Sequence, residues 1–187
     1  MDYEKKRTYR KFRQEQIPET VITEIMHNLR YAPSARNAQV LRYTIIENTE
    51  MKELVFNHIH FAAALPREIA VPKEDEKPMA YIVISKPDDN NPTAFVDMGI
   101  AAEIITAAAW EHGVGSCILM NINKTVLTRE LNIPEGRTAA MVIAMGYPSH
   151  DSTVVNAKDQ KQLSYTVDED NNYYVPKLSE EELFTRM

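Results

Sequence analysis

Phe95-Val96-Asp97-Met98-Gly99-Ile100-Ala101-Ala102-Glu103-Ile104-Ile105-Thr106-Ala107-Ala108-Ala109-Trp110-Glu111-His112 is the stretch that decides the fold. Wound at 3.6 residues per turn, Ile100, Ala101, Ile104, Ile105, Ala107, Ala108, Ala109 and Trp110 leave it apolar on nearly every side. A helix of that kind belongs in the middle of a protein or at a subunit interface, not on a surface. Asp97 near its start suits the positive end of the helix dipole, which is sufficient reason for an acid there without a catalytic role. Gly113-Val114-Gly115-Ser116 follows and invites a dinucleotide-fold reading. That reading fails, because Ile118 occupies the third position of GxGxxG and the order is helix to strand. The glycines fit a helix stop with tight helix–strand packing instead.

Outward from that helix, elements alternate. On its N-terminal side, Met79 to Ser85 is a nearly continuous apolar run, as in a strand buried on both faces. Before it lie a helix from Pro18 to Tyr31, a strand from Leu41 to Ile46 and a helix from Glu50 to Ile59. Val21, Ile22, Ile25, Met26 and Leu29 form the apolar stripe of the first helix, with Pro18 suited to its first position and His27 on the surface. Residues 61–79, with Pro66, Pro72 and Pro78 around a charged run, read as an exposed irregular connection. Beyond the central helix come a strand from Cys117 to Met120 and a short helix capped by Asn123, closed by Pro134. A strand from Thr138 to Met145 ends at Gly146-Tyr147-Pro148. Residues 149–161 are polar and uncommitted. Ser164 to Val167 and Tyr173 to Val175 flank an acidic turn and read as a hairpin, and Ser179-Glu180-Glu181-Glu182 is a capping box.

The 187 residues fit one domain over 1–187, and 44% hydrophobic with 26% charged residues is ordinary for a globular protein. The polar opening and the lack of an unbroken apolar run of about 18 residues predict neither a secretory signal nor a membrane span. A single cysteine, Cys117, excludes an internal disulfide and argues for a reducing, cytoplasmic setting. Its apolar surroundings in sequence fit a buried inert thiol.

Against a net charge of −6, Lys5-Lys6-Arg7-Thr8-Tyr9-Arg10-Lys11-Phe12-Arg13 carries six cations in nine residues. Composition alone fits either a solvated terminal arm or a phosphate site, where Arg offers a fork of donors, Lys a point charge and Thr8 a neutral hydroxyl. Pro33-Ser34-Ala35-Arg36-Asn37-Ala38-Gln39 combines small residues with donors and acceptors, suiting the edge of a flat ligand. It equally suits a loop that caps its own helix.

Taken together, these motifs in this order resemble the flavin-dependent nitroreductase family from about Lys5 to Lys177. Lys6-Arg7-Thr8-Tyr9-Arg10-Lys11-Phe12 is similar to its "RRSxRxF" opening and Pro33 to Gln39 to its "PSxxNxQP" loop. Asp97-Met98-Gly99, Gly113 to Cys117 and Gly146-Tyr147-Pro148 match later landmarks. The resemblance implies an α+β nitroreductase-like fold with a mainly antiparallel central sheet flanked by helices. It also implies an interlocked homodimer with FMN at the interface. On it, Lys6, Arg7, Thr8 and Lys177 hold the phosphate, and Arg10 approaches the pyrimidine edge. Pro33, Ser34, Ala35, Asn37 and Gln39 form the flavin loop, with Ser34, Ala35 and Asn37 donated by the partner subunit. Asn121 lies where relatives have glycine beside the flavin N5, and asparagine tolerates positive φ. Val40-Leu41 replaces the usual Pro-Trp, and His150-Asp151 stands where a basic cluster is usual.

The implied activity is hydride transfer from NADH or NADPH to a small acceptor, such as a nitro compound or quinone, by a ping-pong cycle. The flavin carries that chemistry, so no catalytic side chain and no metal are needed. Two other readings stand beside it: a non-catalytic FMN-binding or sensing dimer, and a polybasic arm contacting nucleic acid or anionic membrane. The acidity of the remaining chain disfavours the last.

Overall fold

The computed structural model describes residues 2–62, 65–157, 159 and 161–187. Its centre is α4 (Thr93–Glu111), which packs with α1 (Glu19–Leu29) on one face of a four-stranded sheet. The sheet comprises β1 (Arg42–Ile46), β2 (Ala80–Pro87), β3 (Gly115–Leu119) and β4 (Arg137–Gly146), in the order β1-β2-β4-β3, antiparallel throughout. The other face is covered by α2 (Thr49–Phe56) and α5 (Lys124–Glu130).

Period-two alternation explains the layering. Ile82 and Ile84 of β2 face α1 and α4, while Tyr81 and Val83 face the second cluster with Val55, Phe61 and Leu127. Every β2 residue from Ala80 to Lys86 is buried, in line with its apolar run. The α1 stripe buries Val21, Ile22, Ile25 and Leu29, with Met26 half-buried. Cys117 is buried in the second cluster, and loss of hydration pushes its thiol up to about 11. By length and mean hydropathy α4 is comparable to a membrane span, but half of it is already buried inside this chain.

Several boundaries differ from the sequence expectation. Pro18 is the cap before α1, with ψ 139°, not its first helical residue. Residues 61–79 contain a one-turn helix α3 (Arg67–Ala70) and a 3-10 turn (Glu74–Glu76), and Ala63 and Ala64 lie outside the described residues. The uncommitted residues 149–161 contain a strand, β5 (Ser152–Asn156), while Lys158 and Gln160 lie outside the described residues. β5 pairs in parallel with β7 (Tyr173–Lys177), which also pairs with β6 (Thr166–Val167) as the expected hairpin. Glu182 closes the expected capping box by accepting from the Ser179 N–H at 3.0 Å, opening α6 (Glu180–Leu183).

The N-terminal arm is laid along the β3–β4 side of the sheet. Tyr9 N–H donates to the Ser116 carbonyl, Arg13 N–H to Tyr147 and Ser149 N–H to Lys11. Two glycines make room for its rings. A Cβ on Gly115 would sit 2.7 Å from the Tyr9 ring, and one on Gly146 would sit 2.8 Å from Phe12. The close approach at Gly115 is therefore to the arm, not to a helix. Phe12 is fully buried, so it has no free direction in which to yield. Gly146→Ala should cost about 1–3 kcal/mol of stability through overpacking, read as a lower urea midpoint with an unchanged slope.

Candidate functional site

The structure assembles two polar groups of residues at opposite ends of α4. At the N-terminal end lies the 33–39 loop. Ala35 N–H donates to Asp97 Oδ1 at 3.0 Å, and Gln39 N–H donates to Ser34 Oγ at 3.0 Å. Arg36, Asn37 and Gln39 all have positive φ (56°, 54° and 47°), a conformation that costs energy for residues with side chains. Asp97 and the Ser34–Gln39 bond hold the loop in that shape. The loop thus does close on itself, yet its Asp97 anchor leaves a second oxygen, Oδ2, buried without a partner. Leu29, Pro33, Ser34, Val40, Tyr43 and Asp97 wall a small cavity of about 150 Å³ there.

At the C-terminal end sits the cationic arm, seated and not loose. Tyr9 stacks on Trp110 (centroids 5.4 Å, 15°), and Lys6 Nζ pairs with Glu103 at 2.6 Å. Lys11 is buried and held by Asn171 Oδ1 at 2.7 Å and Glu76 Oε2 at 3.5 Å. The Arg10 guanidinium lies 4.8 Å and 5.0 Å from the rings of Tyr165 and Tyr173. Burial raises the phenol pKa of Tyr9 and of Tyr173, keeping both rings neutral. The Nε–H groups of Arg7 and Arg10 are buried without a hydrogen-bond partner among the described residues, while Thr8, which bridges to Ser116, is exposed.

These two groups do not meet within one chain. From Asp97 to Trp110, α4 runs roughly 20 Å along its axis. Lys177 also stands apart, exposed at the far end of β7, roughly 13 Å of strand from the Tyr173 that Arg10 covers. Asn121 lines a third site, a cavity of about 410 Å³ with Phe56, His60, Phe61 and Arg67. Its carbonyl accepts from His60 N–H, and Asn121 is not among the residues with positive φ, so the turn expected there is made differently.

Sequence reasoning missed the parts that hold the site. Asp97 as a loop anchor had one visible signal, an acid near the start of an apolar helix. Glu103 and Trp110 share that helix with it, each nearly two turns beyond the one before. His150, packed between Tyr9 and Tyr173, had no local signal at all.

Known proteins share both the architecture and the sequence pattern. The Nitroreductase family profile matches residues 3–147, well over half of the chain. The "Putative NAD(P)H nitroreductase YfhC" of Bacillus subtilis (strain 168) is 24% identical over 161 residues, covering 76% of this chain and 80% of that protein. A nitroreductase with bound FMN from Desulfitobacterium hafniense DCB-2 superimposes with a TM-score of 0.67 at 17% identity, over 88% of this chain and 95% of that one. The FMN-dependent nitroreductase NfnB from Mycobacterium smegmatis, solved with NADPH, gives 0.63 at 18% identity, over 79% and 86%. An antiparallel sheet between helix layers, an apolar central helix and the family's own sequence pattern thus coincide. The chain belongs to the nitroreductase family.

Asp97→Ala should release the Ala35 amide, measured as faster hydrogen exchange at Ala35, and cost about 1–3 kcal/mol. Asp97→Asn, which keeps an acceptor, should restore most of that protection.

Proposed function

We propose that this chain is an FMN-dependent oxidoreductase that takes hydride from NADH or NADPH and passes electrons to a small acceptor by a ping-pong cycle. Nitro compounds and quinones are the acceptor classes it suits. The observation that carries this reading is the seated arm with its two buried, unpartnered Nε–H groups on Arg7 and Arg10. Donors left that way cost about 1–3 kcal/mol each, and an oxygen-rich anion satisfies them. The residues present therefore fit a phosphorylated flavin.

In this reading Lys6, Arg7 and Thr8 hold the phosphate, and Lys177 adds a further cation. Arg10, fixed over two tyrosine rings, faces the pyrimidine edge, where its charge stabilises negative charge that develops on reduction. FMN, when bound, supplies the hydride-accepting and hydride-donating ring. The known relatives support the cofactor, since the Desulfitobacterium hafniense nitroreductase holds FMN and the Mycobacterium smegmatis enzyme was solved with NADPH.

A second copy of the chain completes the site. The arm and the 33–39 loop lie at opposite ends of α4, too far apart to grip one ring system. Pro33, Ser34, Ala35, Asn37 and Gln39 of one copy would then meet the arm of the other, with Asn121 lining the cavity beside them. The surface of α4 fits this assembly: Phe95 and Val96 are 47% and 64% exposed, which is costly for a lone protein in water. A single domain over 1–187, in the cytoplasm where nicotinamides are supplied and Cys117 stays reduced, is the setting the reading requires. Seating of the arm also argues against a loose polybasic tail for nucleic acid, because Lys6 and Lys11 are tied to Glu103 and Glu76 of the chain.

Purified protein supplied with FMN should quench flavin fluorescence, and NADH or NADPH should bleach the bound yellow colour rapidly in stopped flow. Binding without bleaching would leave a passive FMN dimer, and no binding at all would overturn the proposal. Arg7→Ala should weaken FMN binding by about 1.5–3 kcal/mol, the scale of a charge-assisted bond; unchanged affinity in a titration would show that Arg7 is not a ligand.

A further inference from the structure

His150 lies beyond the residues that the family profile matches. Its imidazole is buried between two phenol rings, 5.4 Å from Tyr9 and 4.7 Å from Tyr173 by centroids. Both ring nitrogens are engaged. The Arg10 backbone N–H donates to Nε2 at 3.1 Å, and Nδ1 stands 2.9 Å from the Asp151 carbonyl oxygen. A nitrogen that accepts from an amide carries no proton, and one that faces a carbonyl carries one. The contacts therefore select the neutral Nδ1–H tautomer.

We propose that His150 is the positioning residue of the cationic arm: neutral, it fixes the Arg10 backbone, and protonated, it unseats the arm and releases the phosphorylated cofactor. The proposal rests on the reading of the arm as the phosphate site. A protonated Nε2 would point a donor at the Arg10 N–H, turning an attraction into a clash of like dipoles. The new charge would also arise beside Arg10 and Lys11, with Arg13 lining the same surface depression. Asp151 opposes them from the C-terminal side, Glu76 offsets Lys11, and Tyr9 and Tyr173 contribute only neutral rings.

Burial, reinforced by Arg10 and Lys11, holds the His150 pKa below the ordinary histidine value, against the hydrogen bond and charge of Asp151. The sign follows from linkage. An unseated His150 binds its proton at about pH 6.5, more readily than the seated one. Seating is therefore indifferent to pH well above that value and weakens as pH falls through and below it.

Trp110, the sole tryptophan, stacks on Tyr9 and reports the seating of the arm without any cofactor. In the full chain without added FMN, Trp110 emission titrated from about pH 8 to about pH 5 should show a transition below about pH 6.5. His150→Gln, whose amide accepts from Arg10 at every pH, should lack it. FMN affinity of the two proteins should agree within about threefold at about pH 8, and by about pH 5.5 the wild type should have lost about tenfold more. The second ionisation of the FMN phosphate, near pH 6, weakens both alike, so the difference between them is the readout. His150→Leu, which has no acceptor, should bind FMN about tenfold more weakly than His150→Gln at about pH 8. Identical Trp110 titrations and parallel affinity losses in wild type and His150→Gln would overturn the proposal. If neither protein binds FMN at about pH 8, the proposed function fails, while a Trp110 transition confined to the wild type would still support His150 as the seat of the arm.

Discussion

One helix sets the distances on which everything else depends. α4 is apolar on so many sides that the sheet, α1 and the arm together bury only part of it, and the rest faces outward at Phe95 and Val96. The same rigid rod carries three polar or aromatic handles: Asp97 for the 33–39 loop, Glu103 for Lys6 and Trp110 for Tyr9. Because helical rise is fixed, the spacing between loop and arm is fixed with it. A burial requirement and a positioning requirement are thus met by one element. That coupling explains why a helix with so little polar surface keeps Asp97 near its start and Glu103 at its middle.

Much of this was readable from the chain. The apolar stripe of α1, the all-round apolar character of α4, the apolar runs of β2 and β4, the Asn123 cap and the acidic hairpin turn are local signals, and each survives as an element. What was hidden is non-local. β5 is short, half-exposed and polar, and it becomes a strand only because β7 lies parallel to it. Gly115 and Gly146 look like turn residues in sequence. Their function is to leave clefts for Tyr9 and Phe12, more than a hundred residues earlier. Positive φ was foreseeable at Asn37, but Arg36 and Gln39 share it only because Asp97 and Ser34 hold the loop.

The candidate site divides in the same way. The types of residue in the arm left open a solvated terminal segment or a phosphate site. Their seating was not announced. Nothing in Ser149-His150-Asp151 marks His150 as the acceptor of the Arg10 amide, because that bond spans 140 positions. Lys177, grouped with the arm by resemblance, lies at the other end of β7, so its contribution depends on where a bound phosphate extends and not on direct contact with Arg7.

The lysines and arginines of the arm differ in what they meet. Lys6 and Lys11 each meet a carboxylate of the chain itself, Glu103 and Glu76, which helps to anchor the segment. Arg7 and Arg10 retain buried Nε–H donors with no acceptor among the described residues. This allocation follows from side-chain chemistry. A lysine ammonium is a compact point charge that one carboxylate neutralises from any direction, whereas a guanidinium presents a planar fork whose full satisfaction needs several oxygens in one plane. A phosphorylated ring system offers such oxygens. The segment that carries them is also seated by the Tyr9–Trp110 stack and by the glycine clefts for Tyr9 and Phe12, neither of which depends on charge. The arm can therefore stay seated at the ionic strength of a cell, where exposed ion pairs are largely screened, and keep its arginines ready for a ligand.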